Sequence, residues 1–394
     1  MVTSQEFSDP PNFVLARELL GRIANTPAQH VPRNVDRPLA IYGAGNLGRM
    51  AREYFDRLGI PLSLVVDAKA EQIRRDPFWA GARVISPDAV DPKTRRGVLL
   101  AVCVATSPYV KLAESLRSEG WTDVVPFYDI SEAYRDRHPL SNGWFAHPLT
   151  SGDTESIAQV LETWADDVSR AHHLQFIAWR RLRQEWSFTG APVNTENRFF
   201  IPEVLTALTE HESFADIGAH TGSVSLSFIK AVRGRFQEIW AVEPDPTNLS
   251  GLRTAVSNLP ASLRDRVSVI PAVVGSERGE KCFFQGLGYA SQCSALGQST
   301  FPTEIIDDIA LSPSFMKLHL EGAELDALKG CCNTILRYRP IIAATSYHNR
   351  QGLWELPQWL MGELSGYVFY MRVHSWCGTG SVIYCIPEER VKAR

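Results

Sequence analysis

The tightest constraint in the chain is the stretch Asp216-Ile217-Gly218-Ala219-His220-Thr221-Gly222, where an apolar run, Ser213 to Ile217, gives way to a helical pattern from Thr221. Glycine at such a turn lets backbone approach a ligand closely, since no Cβ blocks a positive φ or the approach itself. A second apolar run, Ile239 to Val242, ends in Glu243, 25 residues after Gly218. That spacing is one strand-helix-strand unit. An acidic side chain at the end of the second strand is suited to accept hydrogen bonds from two vicinal ribose hydroxyls. The implied ligand is an adenosine-type cofactor.

The pattern continues regularly downstream. Apolar runs predict strands at Val267 to Val274, Phe315 to Leu320 and Ile341 to Ser346, with helices from Pro246, over Ala323 to Arg337 and near Leu353 to Leu364. Two closing strands, Tyr367 to Val373 and Ser381 to Ile386, are joined by a loop containing Gly378 and Gly380. Alternating strands and helices ending in a hairpin describe a seven-stranded sheet with an antiparallel edge. This is the architecture of class I methyltransferases. Between the strands, the glycine, serine and glutamine content of Phe283 to Thr303 predicts a mobile or substrate-facing loop.

A first glycine turn lies far upstream. Strand Leu39 to Tyr42 leads into Gly43-Ala44-Gly45-Asn46-Leu47-Gly48, then a helix and a strand, Leu62 to Val66, ending at Asp67, 24 residues after Gly43. Glycine turn, helix and acid together have the arrangement of a dinucleotide fingerprint. The fold class expected is therefore α/β with two Rossmann-like units. The expected division is an N-terminal helical extension (1–37), a Rossmann-like nucleotide-binding or scaffold module (38–130), a helical connector (131–195) and a second domain that binds the adenosine-type cofactor (196–394). In the connector, Ile157, Leu161, Trp164, Val168, Leu174, Ile177, Leu182 and Trp186 recur at helical spacing. Trp179-Arg180-Arg181-Leu182-Arg183 mixes aromatic and basic residues, but no second basic patch supports a nucleic-acid reading, and a contact to a polar substrate stays open.

Composition narrows the classes. A net charge of -4 over 394 residues gives no bulk attraction to nucleic acid or anionic membrane. Seven cysteines without a Cys-x-x-Cys pair read as reduced core thiols. The first residues lack a basic stretch followed by an apolar core, and the longest apolar run, Val98 to Ala105, is too short to span a bilayer. A cytoplasmic enzyme without membrane insertion is expected. Self-association stays open.

Three blocks carry a family resemblance: Asp216 to Gly222, Val242-Glu243-Pro244-Asp245-Pro246, and Lys317-Leu318-His319-Leu320-Glu321-Gly322-Ala323-Glu324 with Leu328-Lys329-Gly330. With Arg339-Pro340, Tyr347-His348 and Ser381-Val382-Ile383-Tyr384, the region from about 196 to 388 resembles FkbM-type methyltransferases. The N-terminal module resembles those that precede sugar-modifying transferases. The resemblance implies S-adenosyl-L-methionine as cofactor, with Asp216, Gly218, Ala219 and Gly222 framing its methionine end. Glu243 would hold the ribose, with Pro244, Asp245 and the weaker candidate Asn248 beside it. The readings that compete are a helix N-cap for Asp216, plain packing for Gly222 and a solvated strand end for Glu243.

In the third block His319 stands where the family has aspartate. A neutral imidazole at a strand's C-terminal end can take a proton from a substrate hydroxyl near pH 7. A hydrogen-bonded core histidine or a metal ligand are the alternatives. Loss of that carboxylate removes an oxygen donor that magnesium or calcium would want, so no metal is expected. The candidate catalytic residues are His319, His348, Glu321 and Lys317, with His374 a weaker one. Glu321 and Glu324 also suit the start of a helix on electrostatic grounds. Strand alternation puts Lys317, His319 and Glu321 on one face. The function implied is O-methylation of a sugar, glycan or secondary metabolite, the partner being a small-molecule or glycan acceptor. Two alternatives remain: a non-catalytic scaffold in a glycan-assembly complex, and a nucleotide-sugar or NAD(P)-dependent enzyme using Gly43 to Asp67. Hydride transfer is disfavoured because no catalytic second half follows the first glycine turn.

Overall fold

The computed structural model describes residues 2–391. Strand β1 (Thr3–Phe7) is followed by a helix at Phe13–Asn25, then by β2 (Leu39–Tyr42), β3 (Leu62–Val66), β4 (Val84–Ile85), β5 (Leu99–Val102) and β6 (Val124–Pro126). The last five form an all-parallel sheet in the order β4-β3-β2-β5-β6. Its central strands are apolar and buried because helices cover both faces, as parallel sheets require. Gly43 leaves β2 at φ +95. The Asp67 carboxylate then folds back on its own turn, accepting the Ala44 N–H at 2.8 Å and the Lys69 N–H at 2.7 Å.

Two helices, Ser151–Thr163 and Asp167–Leu182, lead to β7 (Gln184–Phe188), which pairs in parallel with β1. Thr150 and Asp153 form a capping box on the first helix, and Asp166 caps the second. Neither helix is a free linker. Ile157, Leu161, Leu174 and Ile177 share one buried cluster with Ile217, Leu318, Ala344 and Ile383 of the large sheet.

That sheet is built from β8 (Ser213–Ile217), β9 (Glu238–Val242), β10 (Val267–Ile270), β15 (Phe315–Leu318), β16 (Ile341–Thr345), β17 (Tyr367–Val373) and β18 (Ser381–Pro387). Its order is β10-β9-β8-β15-β16-β18-β17. The antiparallel edge forms by insertion of β18 between β16 and β17, antiparallel to both. Alternation along the strands divides the core: Ala215 and Ile217 face the connecting helices, whereas Phe214, Phe315 and Ala343 face a second cluster with Phe228 and Val204. A smaller sheet of β11 (Val273–Val274), β12 (Gly279–Phe284), β13 (Gln292–Cys293) and β14 (Ser299–Glu304) runs into the segment expected to be a loop, whose residues 285–291 and 294–298 lie outside its strands. Among the described residues, no helix is long and apolar enough to cross a membrane. The cysteines are free, and Cys103, Cys331, Cys377 and Cys385 are buried as expected, whereas Cys282 is exposed on a strand of the small sheet.

Helix Asp167–Leu182 buries two adjacent histidines whose hydrogen bonds fix them as neutral. His172 Nδ1 accepts the Val373 N–H at 3.2 Å and His173 Nδ1 accepts the Trp164 indole N–H at 3.1 Å. Their Nε2 atoms face the carbonyls of Ala191 and Leu353. Burial brings both, and His374, down to about 4. Below about pH 6.5 the unfolded chain takes up protons that these folded histidines refuse. Stability should therefore fall as pH drops from about 6.5 to 4, by up to about 1.4 kcal/mol per pH unit for each histidine. Urea titrations across that range measure the slope, and His172→Gln should make it shallower.

Candidate active site

Strand order reverses between β8 and β15, and the C-terminal ends flanking that point open a crevice. The end of β8 supplies Gly218 to Gly222, β9 supplies Glu243 to Asp245, β15 supplies His319 to Glu324, and β16 supplies Tyr347 and His348. Residues from the first three of these ends, with Phe283, Gly288, Tyr289, Ser291, Gln292 and Cys293, line a cleft.

One wall carries Gly218, His220, Glu243, Pro244 and Asn248. The Glu243 carboxylate accepts the His220 N–H at 2.8 Å, the Asp245 N–H at 2.9 Å and the Asn248 side-chain amide at 3.3 Å. A carboxylate has about four acceptor positions, so capacity remains on the cleft side. Burial raises the Glu243 carboxyl against the pull of these donors. A ligand's hydroxyl donors would favour its charged form.

The facing wall carries His319, Leu320, Glu321 and Ala323. His319 Nε2 lies 3.1 Å from Glu321 Oε1 and 3.3 Å from the Tyr347 hydroxyl. His348 sits beneath, with Nε2 3.1 Å from the same Glu321 oxygen and Nδ1 2.9 Å from Glu324 Oε1. Glu324 is fixed in turn by the backbone N–H groups of Leu320 and Gly322, both at 2.9 Å, and by the Thr345 hydroxyl at 2.8 Å. Burial holds the His319 imidazole down to about 4 despite Glu321, so it is neutral at pH 7. Burial acts the same way on His348, but Glu321, Tyr347 and Glu324 outweigh it and hold that imidazole well above its usual value. Glu321, although buried, is drawn down to about 2 by His348 and His319.

The sequence candidates thus separate into groups. His319, Glu321, His348 and Glu324 converge, whereas Lys317 does not join them. The strand ends at Leu318, and Glu321 has a left-handed φ of +51, so strand alternation stops before it reaches the acid. Lys317 Nζ instead meets Asp216 Oδ1 at 2.9 Å and the Gly218 carbonyl at 2.6 Å. Asp216, which also accepts from the Ser225 hydroxyl at 2.7 Å, lies fully buried behind the glycine turn rather than on the cleft wall. Ala219 is buried beneath the turn, and Gly222 packs where a Cβ would come 2.8 Å from Leu252 Cδ1. Asp245 caps helix Pro246–Ser257 through the N–H groups of Thr247 and Asn248, and its second oxygen accepts from Gly286 N–H and the Ser291 hydroxyl, each at 2.8 Å. His374 lies elsewhere, bonded to the Asn194 carbonyl and the Tyr384 hydroxyl, both at 2.7 Å.

Tyr289, Gln292 and Cys293 line the cleft from the Phe283 to Thr303 segment marked as mobile or substrate-facing, though no motif singles them out individually. Arg180, from the basic stretch open to a polar-substrate contact, serves backbone instead. Fully buried, it donates to the carbonyls of Asn142, Trp144, Tyr347 and Gly378 and so fixes the backbone beside His348; it contacts no cleft.

An α/β sheet of this order, with a cleft at its reversal, is consistent with methyltransferase-like folds. Residues 216–369 match the family model for the methyltransferase FkbM domain. A solved structure of methyltransferase FkbM from Methylobacillus flagellatus KT is 18% identical and has a TM-score of 0.59. That match covers 96% of this chain and 94% of the other, so the two share a fold along nearly their whole length. A precorrin-6y C5,15-methyltransferase from Geobacter metallireducens GS-15 is 14% identical, with a TM-score of 0.29 over 49% of this chain and 91% of its own. None of the curated proteins compared with the chain matches it.

Proposed function

We propose that the protein transfers a methyl group from S-adenosyl-L-methionine to a hydroxyl of a sugar, glycan or secondary metabolite. The observation that carries this reading is one cleft with Glu243 on one wall and the His319-Glu321-His348 cluster on the other. Glu243 accepts the ribose hydroxyls, while the Gly218 turn, without a Cβ, borders the methionine end. The sulfonium methyl is already electrophilic, so the acceptor needs alignment and help in losing a proton. His319, neutral and facing the cleft, is the residue placed to take that proton, and Glu321 steadies the imidazolium formed. The sugar preference comes from the family likeness alone.

The N-terminal module supports the cleft from outside. Ala290 is buried in its core, the Tyr289 hydroxyl meets Met50 Sδ at 3.4 Å, and Arg57 donates to the Gly286 carbonyl. We therefore read the module as a scaffold that holds residues 286–293 against the methyltransferase sheet.

Calorimetry with S-adenosylhomocysteine tests the cofactor assignment. Glu243→Gln should weaken binding by about 10- to 100-fold, as loss of a hydrogen bond to a charged group does. Undiminished affinity in that variant would remove Glu243 from the ribose site. Acceptor screening by mass spectrometry, reading the gain of one methyl group, tests the reaction itself.

A further inference from the structure

We infer that His319, Glu321 and His348 form a binding site for a divalent transition metal. Their ligand atoms lie within 4.8 Å of one another, and both imidazole Nε2 atoms stand 3.1 Å from the same Glu321 oxygen. Donors about 2.1 Å from a common metal at right angles are about 3.0 Å apart, so the separations suit ligands that share an ion.

Burial points the same way. Glu321 Oε2 has no hydrogen-bond partner, although the residue is only 7% exposed. Buried polar atoms are nearly always satisfied, so an open carboxylate oxygen in this cluster is unusual. A third feature is the outer shell. His348 Nδ1 lies 2.9 Å from Glu324, itself held by three donors, so Nε2 faces the cluster, where an ion would take the place of the Nε2 proton. A carboxylate behind a ligating imidazole is how metal-binding histidines are oriented. Glu321 takes its place through a left-handed backbone at φ +51, a conformation that costs energy and recurs at functional sites.

Two nitrogens and one carboxylate select manganese, iron, cobalt, nickel or zinc over magnesium and calcium, which prefer oxygen. The expectation of no metal followed from the missing carboxylate. The imidazole that replaces it changes the type of ion instead. Because His319 and Glu321 face the cleft, the remaining coordination positions open toward it. Resting on the methyl-transfer reading, their ligand there is the acceptor's hydroxyl oxygen; with the ion bound, His319 serves as a ligand in place of acting as the base, and the acidified hydroxyl loses its proton to water.

The test is titration of chelator-stripped full-length protein with Co²⁺, followed by visible absorption, with S-adenosylhomocysteine binding measured on the same sample. A single saturable equivalent with ligand-field bands and a raised melting temperature is expected. His319→Ala should lose at least tenfold in affinity, Glu324→Gln should lose about 10- to 100-fold, and the exposed, remote His211→Ala should match the parent. Circular dichroism checks folding, and His319→Asn replaces the alanine variant if that one unfolds. Absence of saturable binding, or equal binding by a folded His319 variant, overturns the site. Retained S-adenosylhomocysteine binding in that case leaves the cofactor assignment standing.

Discussion

Lys317→Met should destabilise the protein by about 3–5 kcal/mol, the usual cost of removing one partner from a buried ion pair. The Asp216 carboxylate would stay behind at 0% exposure, keeping only the Ser225 hydroxyl as a donor. Lys317 also ties the Gly218 carbonyl, so the glycine turn loosens with it. The double variant Asp216→Leu/Lys317→Met should recover much of the loss, because a buried pair exchanged for apolar residues is often neutral. Urea or guanidinium unfolding of the two variants measures both. A loss below about 1 kcal/mol in the single variant would mean that Asp216 finds another way to be neutralised or solvated.

Gly218→Ala should cost about 2–6 kcal/mol, combining left-handed strain with overpacking. Gly218 has φ +78, and a Cβ there would overlap the carbonyl oxygen of His319, which belongs to the neighbouring strand's exit and has no rotamer to retreat into. Gly234→Ala separates the two terms. Gly234 has a similar φ of +75, but the nearest atom to its Cβ would be Leu263 Cδ2 at 3.6 Å, so only the strain of about 1–3 kcal/mol applies. Thermal unfolding of both variants gives the comparison. Equal losses would show that β8 and β15 can separate enough to admit a methyl group.

The strands around this turn were legible because buried parallel strands are short apolar runs, and Ser213–Ile217 and Glu238–Val242 lie where the residue pattern puts them. Longer readings broke where backbone demanded it. The run from Val267 to Val274 divides at Pro271, and the helix expected from Ala323 to Arg337 divides around Gly330, where a Cβ would overlap the Gly275 carbonyl. The pairing of β1 with β7 was invisible, since it joins a largely exposed strand to a largely buried one at opposite ends of the first 190 residues. At the site, the family blocks named most of the side chains. Their division into a buried Asp216-Lys317 pair and a separate histidine-carboxylate cluster depends on where β15 ends, which hydropathy does not resolve to the residue.

Arg180 has a consequence for how the site is assembled. Its guanidinium gathers carbonyls from three distant places in the chain, and the Tyr347 carbonyl also receives the Trp144 indole N–H at 2.8 Å. Both donors lie upstream of residues 216–369, the stretch that the family model covers. A fragment restricted to that stretch would keep the three main sequence blocks and lose the clamps that hold the loop bearing His348. The recognisable part of the chain and the part able to complete the site are therefore different lengths, and contacts of such wide sequence separation form late in folding.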